Sequence, residues 1–445
     1  MFQPTGFADL AGRRVGIFGY GLEGRTAAAR LNGVASSIVL VDDAPGERPG
    51  VLGSADGGLD ALRTCEVVLK SPGIPRRRSD VLDLEAHGVT VTSALNLWLH
   101  DVDRARVVAI TGTKGKSTTT ALVTFFLHCL GEEALRLGNI GQPPYDATID
   151  TSRGWLVLEV SSFQCVDIDV APAVVVVTSL GADHLDWHGS LEQYQDDKLS
   201  LTRARGDHRT IVPDDATFHG LRDRLGGELI EVGADTTHLA TALGLVGAHN
   251  DANVALALRA TALITGRPVN DVARAVWTDA SKFEPLRGRL TLVATESVGE
   301  TTWRYVDDGL ATSVLPAVAA LEVFADEPVA LIAGGFDRGV DYHPLAVAVA
   351  GRAARTLLLT MGDAGERIAG SLARLRPEIE RVPVVTMEGA VDDARRRLVD
   401  GGVILLSPGA PSFDRYANWE ERSDDFTRAV LERSRTWSLG GDSNP

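Results

Sequence analysis

The chain has 445 residues, 44% apolar and 23% charged, which is too long for one ordinary hydrophobic core, so two or three domains are expected. Its net charge of -16 excludes a general nucleic-acid or membrane-surface binder, since those carry an excess of Lys and Arg; any anionic ligand must be held by local features. Cys65, Cys129 and Cys165 form neither an even framework nor a metal spacing and read as buried thiols in a reducing cytoplasm; the first residues lack a signal-peptide pattern, and no apolar run reaches bilayer length.

Short β-rich runs alternate with Ala/Leu-rich segments of helical period from end to end, the pattern of parallel α/β sheets. In the first hundred residues RVGIF (14–18), SIVLV (37–41), VVLK (67–70) and VTVTS (89–93) are predicted strands, with helices at 23–31 and 80–87. A polar stretch at 101–105 marks a first boundary before the strand 107–110. Strands are predicted near 155–160 and 173–178, and a long helix at 251–265. The segment SKFEPLRGRL marks a second boundary near Leu286, followed by strands at 291–294, 303–307, 329–333, 356–360 and 403–407. Domains are therefore expected at 1–102, 103–287 and 288–445.

The stretch TGTKGKSTTT follows an apolar strand and precedes a helix-compatible run. Gly112 and Gly115 let backbone N–H groups converge, Lys116 adds a point charge, and Ser117 can ligate Mg²⁺: a phosphate cradle, one glycine short of the strict P-loop pattern. The same residues also fit a Gly-rich strand-to-helix turn with exposed lysines. A second signature, GYGLEG (Gly19, Gly21, Gly24), follows the first strand, and Asp42 and Asp43 end the next one. That pattern fits either a dinucleotide fingerprint or a tight turn of a doubly wound domain. Glu159 closes the strand WLVLEV, and His184 lies in GADHLDWHG; both follow strands whose carboxyl ends border the ligand crevice in such sheets.

In their order along the chain, TGTKGKSTTT, GNIG, LEVSSFQ, DHLD, YQDDKL, HNDAN, LRGR, a D-x-x-A-T loop, GGFDRG and SPGAPSFD resemble the Mur ligases of peptidoglycan synthesis over essentially the whole chain, and most resemble the glutamate-adding branch. The resemblance implies an α/β fold of three domains: a Rossmann-like N-terminal domain holding a UDP-linked donor, a central P-loop ATPase-type domain with a parallel sheet, and a Rossmann-like C-terminal domain. It implies ATP bound by Gly112, Thr113, Lys114, Gly115, Lys116, Ser117 and Thr118, with Asn253 at the adenine, and Arg289 and Asp308 closing over it. Two Mg²⁺ would be held by Ser117, Glu159, His184 and a carbamylated Lys198; Lys116, Glu159, His184 and Lys198 form the implied catalytic set. An unmodified Lys would repel a cation, whereas its carbamate offers oxygens. Gly21, Leu22, Glu23, Asp42, Asp43, Ser71, Pro72, Gly73, Asn139, Ser161, Thr312, Arg338, Ser412 and Trp419 would bind the substrates, UDP-N-acetylmuramoyl-L-alanine and glutamate, with the glycine signature, Asp42, Asp43 and the Ser71 loop at the UDP part and Arg338 near the incoming amino acid. The resemblance further implies a cytoplasmic monomer that uses neither nucleic acid nor membrane as a partner.

Glutamate-adding members usually carry TGTNGKT, D-S-K-A-T-N and a lysine in the third-domain GG loop; this chain has TGTKGKS, DGLATS and Arg338. It also has Gly288 where His is common and Trp419 where Phe is common. Losing a cation at Leu310 and exchanging Lys for bidentate Arg at 338 rearranges the clamp on a two-carboxylate acceptor. A rearranged clamp is the expected signature of the opposite enantiomer, so L-glutamate is favoured over D-glutamate. A folylpolyglutamate synthase-like ligase is the more distant alternative, and it leaves the first hundred residues without a purpose.

Overall fold

The computed structural model describes residues 2–439 and contains three sheets. The first is built from β1 (Arg14–Phe18), β2 (Ser37–Asp42), β3 (Val51–Gly53), β4 (Val67–Lys70) and β5 (Thr90–Thr92), all parallel, in the order β3-β2-β1-β4-β5. The second contains β6 (Val107–Thr111), β7 (Ala134–Gly138), β8 (Trp155–Glu159), β9 (Val174–Val177), β10 (Arg209–Pro213) and β11 (Glu228–Val232), also all parallel, in the order β11-β10-β9-β6-β8-β7. The third contains β12 (Thr291–Val298), β13 (Thr301–Asp307), β14 (Val329–Gly334), β15 (Thr356–Met361), β16 (Arg381–Pro383) and β17 (Gly402–Leu406), in the order β12-β13-β17-β14-β15-β16.

Strands buried on both faces need continuous apolar runs, and this explains VVAIT in β6 and VVVV in β9, every residue of which is buried. In the first two sheets the strand order reverses at the strand that carries a glycine signature. β1 lies between β2 and β4, and β6 between β9 and β8. Such switch points open a crevice at the carboxyl ends of the strands.

One expectation of the α/β reading is corrected at the third sheet, where β12 runs antiparallel to β13 with Val298 opposite Thr301. Gly299 has φ +61° between them, and a two-residue turn opening with a left-handed glycine closes a hairpin. The short strands β3 and β16, along with β7, β10 and β11, had no sequence expectation. The long helix begins two residues earlier than predicted, spanning His249–Thr265.

By its internal contacts the chain divides into two compact units. One comprises Met1–Leu239 and Asp251–Ala280 and holds the first and second sheets; the other comprises Ala240–Asn250 and Ser281–Pro445 and holds the third. In the first unit a continuous core runs from Val15 and Ile17 through Trp98 to Val107 and Leu158. A buried ion pair, Lys70 Nζ to Asp167 Oδ2 at 2.7 Å, lies in the same unit with both side chains 0% exposed. Among the described residues no helix is long and apolar enough to cross a membrane.

Candidate active site

The loop after β6 runs from Gly112 to Gly115 and enters the helix Lys116–Cys129. Both glycines are required by the packing. Gly112 has φ +142°, and a Cβ there would lie 2.1 Å from Thr178 Oγ1; Gly115 has φ +85°, and its Cβ would lie 2.5 Å from Asn253 Oδ1. The loop is held from outside itself: Thr178 Oγ1 donates to the Lys114 carbonyl at 2.5 Å, and the Thr113 hydroxyl lies 2.8 Å from Tyr194 Oη. Lys116 Nζ donates to the Gly112 carbonyl at 2.9 Å and the Thr113 carbonyl at 3.2 Å, so the ammonium is folded over the loop. Ser117 is 8% exposed, in the first turn of the helix.

Lys198 is 1% exposed, and its ammonium donates to the same Gly112 carbonyl at 2.8 Å. Burial, reinforced by the Lys116 charge, pulls its pKa down to about 7. A buried lysine near neutrality can react as a free amine, which an ordinary surface lysine cannot do at that pH. Glu159 ends β8 and is 2% exposed. Its Oε1 accepts from Asn139 Nδ2 at 2.8 Å, while Oε2 is buried with no hydrogen-bond partner. A buried carboxylate oxygen left this way is costly unless a cation or a donor arrives. His184 has φ +48°, is about half exposed, and lies with its ring centroid 4.9 Å from that of Phe163.

Among the described residues no three His, Cys, Asp or Glu side chains gather as a metal cage. A cation such as Mg²⁺ takes one or two carboxylates plus phosphate oxygens rather than a full protein shell. The residues fit such a cation in one respect: Glu159 presents an unsatisfied buried oxygen. Asn253 is buried and accepts from Thr119 Oγ1 at 3.3 Å, with its Oδ1 set against Gly115 of the glycine loop.

The second feature of this unit is a cavity of about 520 Å³ at the carboxyl ends of β1, β2, β4 and β7. Gly21, Leu22, Glu23, Asp42, Asp43, Ser71, Pro72, Gly73 and Asn139, all singled out from the sequence, line it together. Asp42 accepts from the amides of Tyr20 at 2.7 Å and Ala44 at 2.9 Å, which fixes the turn; Asp43 accepts from Arg78 Nη2 at 2.8 Å. Glu23 accepts from Gln164 Nε2 at 2.8 Å and Tyr145 Oη at 3.1 Å, and burial raises its pKa above the ordinary carboxylate value. Ser161 is not among the lining residues; its side chain caps the helix Ser162–Cys165 in a reciprocal pair with Gln164. Asn139 lines the cavity and also holds Glu159, and so joins the two features.

In the second unit the loops after β13, β14 and β17 bring another group together. Asp308 is 9% exposed and accepts from Ser407 Oγ at 2.7 Å; burial, aided by neighbouring Asp307, pushes its pKa up to about 7. Gly288 has φ +67°, its carbonyl accepts from the Leu310 amide at 3.1 Å, and a Cβ on it would lie 2.5 Å from Trp419 Cζ3. Arg289 is exposed, Thr312 is half-buried and Ser412 is buried; the exposed Arg338 guanidinium lies 5.8 Å from the Phe413 ring centroid. Arg422, on the helix Trp419–Leu439, was missed in the sequence. Its guanidinium is buried and donates to the carbonyls of Gly309 and Ala410, both at 3.1 Å, tying two of these loops together. In sequence it is one more charge on an amphipathic helix.

Residues 110–257 match the family model described as the Mur ligase middle domain. A UDP-N-acetylmuramoyl-L-alanine–L-glutamate ligase of Micromonospora sp. is 38% identical, with 96% of this chain and 98% of that protein covered. A UDP-N-acetylmuramoylalanine–D-glutamate ligase of Syntrophotalea carbinolica is 32% identical, with 95% and 98% covered. Among solved structures, MurF ligase from Thermotoga maritima in complex with ADP has a TM-score of 0.52 at 15% identity, covering 96% of this chain and 97% of that one, a likeness of fold.

Proposed function

Because the chain belongs to the Mur ligase family, we propose that it is an ADP-forming amide ligase joining glutamate, with L-glutamate favoured, to UDP-N-acetylmuramoyl-L-alanine. The observation that carries this reading is Asn139, which borders the 520 Å³ cavity and hydrogen-bonds Glu159 beside the phosphate loop. A nucleotide-linked donor in the cavity and ATP in the loop would then meet across one side chain.

The reaction has to overcome the inertness of a carboxylate, whose leaving group would be oxide. Phosphorylation of the donor carboxylate by ATP gives an acyl phosphate, and attack by the glutamate amine expels inorganic phosphate. The loop amides and Lys116 would cradle the transferred phosphoryl group, where positioning and charge neutralisation supply most of the catalysis. Ser117, Glu159, His184 and a carbamylated Lys198 would hold two Mg²⁺, whose contribution is to neutralise phosphate charge. Lys198, with its pKa near 7, has the neutral amine that carbamylation by CO₂ requires. Arg289 and Asp308 would meet ATP from the C-terminal part of the chain, and Asn253 its adenine.

Two observations support L- over D-glutamate. Leu310 and Arg338 stand where lysines are usual in the D-glutamate clamp, which removes one cation and changes the geometry of the other, and the Gly288 to Trp419 contact gives the neighbourhood of Leu310 a different shape. Phosphate release from ATP that requires both the UDP-linked donor and glutamate is the expected result; release with neither cosubstrate, or failure to bind the donor, overturns the reading.

A further inference from the structure

Beside the phosphate loop lies a buried polar chain that neither the loop nor the cavity uses. Ser162 Oγ lies 3.0 Å from His188 Nε2, and His188 Nδ1 lies 2.7 Å from Asp197 Oδ2. Asp197 also accepts from Arg77 at 2.6 and 3.0 Å, and from Gln193 Nε2 at 2.9 Å. The His188 and Asp197 side chains are 0% and 3% exposed. Hydroxyl, imidazole and carboxylate follow the order of a hydrolytic triad. Ser162 is itself buried, however, so no acyl donor reaches its hydroxyl, and Arg77 already engages the carboxylate.

The places of these residues in the chain point to a different role. Ser162 opens the short helix just after Glu159, and His188 closes the helix Leu185–His188 that begins beside His184. Asp197 precedes Lys198 on the helix Leu191–Leu199, and Arg77 follows the segment Ser71–Ile74 that lines the donor cavity. Trp187, from the same short helix as His188, donates its indole N–H to the Gly73 carbonyl at 3.0 Å, a second tie to that segment. Phe163 stacks on His188 with centroids 5.6 Å apart and closes the network to water. Buried networks satisfied in this way rigidify the elements they join, and a half-satisfied network is costly.

We propose that His188 and Asp197 are positioning residues which, with Ser162 and Arg77, fix the elements carrying Glu159, His184 and Lys198 relative to one another and to the donor-cavity loop. The inference rests on the reading of those three as cation-holding residues. The chain of hydrogen bonds ties the helices Ser162–Cys165, Leu185–His188 and Leu191–Leu199 to one another, and ligands supplied by separate elements lose affinity when their supporting contacts go.

The test uses the full chain, with Mn²⁺ as probe in the presence of ADP, titrated by electron paramagnetic resonance. His188→Phe, which keeps the stacking, and Asp197→Asn are expected to weaken Mn²⁺ binding about 10- to 100-fold. Metal-free ADP binding, measured by calorimetry, is expected to stay within about twofold, because a ring at position 188 still packs against Tyr194, whose hydroxyl holds Thr113 of the loop. Arg77→Ala removes a half-exposed side chain and leaves Asp197 its bonds to His188 and Gln193; it is expected to weaken Mn²⁺ binding, though less than the other two variants do, and UDP binding as well, with Arg77→Lys restoring part of both. Mn²⁺ affinity unchanged in His188→Phe and Asp197→Asn, or unchanged in Arg77→Ala should those two fail to fold, overturns this inference alone. Absence of Mn²⁺ binding by the unaltered chain overturns the cation reading and the inference with it.

Discussion

Lys198 donates a hydrogen bond to the carbonyl of Gly112 at 2.8 Å, across 86 residues of sequence, and Lys116 donates to the same oxygen at 2.9 Å. Two ammonium groups therefore converge on one carbonyl of the phosphate loop. Burial is the main reason the Lys198 pKa is pulled from 10.5 down to about 7, and the like charge of Lys116 adds to it.

This has a consequence for pH. Between about 7 and 10.5 the unfolded chain binds a proton at Lys198 that the folded chain refuses, so this group costs stability as pH falls through that window, and the cost is complete below about 7. Lys198→Met is expected to be stabilised relative to the parent at pH 7 and less so at pH 10, read as denaturation midpoints. Catalysis should also decline at low pH: kcat should fall as pH drops below 7 and the free amine is lost, and bicarbonate should shift the falling limb. A kcat flat from pH 6 to 8 would contradict the role assigned to Lys198.

Gly115→Ala tests the cradle. The substitution places a Cβ 2.5 Å from Asn253 Oδ1 at φ +85°, a backbone region that costs an L-residue about 1–2 kcal/mol before any collision. ADP binding by calorimetry should be lost while UDP binding at the separate cavity persists. Parallel loss of both would indicate a folding defect.

The Lys70 to Asp167 pair is buried on both sides. Lys70→Met leaves the buried Asp167 carboxylate only the more distant Arg76 guanidinium, 3.8 Å away, and should destabilise the first unit by about 3–5 kcal/mol, whereas Lys70→Met with Asp167→Leu should recover most of the loss. Urea denaturation of the three proteins measures both quantities; additive losses would show that the two side chains do not act as a pair.

Gly288 and Trp419 form the contact expected to shape the acceptor site. Gly288→Ala is expected to raise the KM for glutamate several-fold with the KM for ATP less affected, since the new Cβ must displace the indole. Trp419→Phe in the same chain should relieve part of the effect, giving a non-additive double-mutant cycle. Equal effects on both substrates would place the contact in scaffolding alone.

The phosphate loop, the cavity loops and the acidic pair Asp42 and Asp43 were legible in the sequence because each combines a strand end with glycines that have few other uses. Strands such as β6 and β9 were legible for the same reason, as continuous buried runs. β3 and β16 were not, since three residues carry no period. Nor could the sequence show that Lys198 is buried: YQDDKL reads as a solvated helix face, and only its packing under the loop reveals the ammonium at Gly112. Arg77, His188 and Asp197 escaped notice because their partnership joins three elements that no local spacing connects.

The central claim is tested most directly by incubating the protein with ATP, Mg²⁺ and UDP-N-acetylmuramoyl-L-alanine, with L- and D-glutamate in separate reactions, and measuring ADP and the UDP-linked dipeptide product. The account predicts stoichiometric ADP and product with L-glutamate and little with D-glutamate. A clear preference for D-glutamate would contradict the clamp argument built on Leu310 and Arg338, and no product with either would contradict the ligase itself.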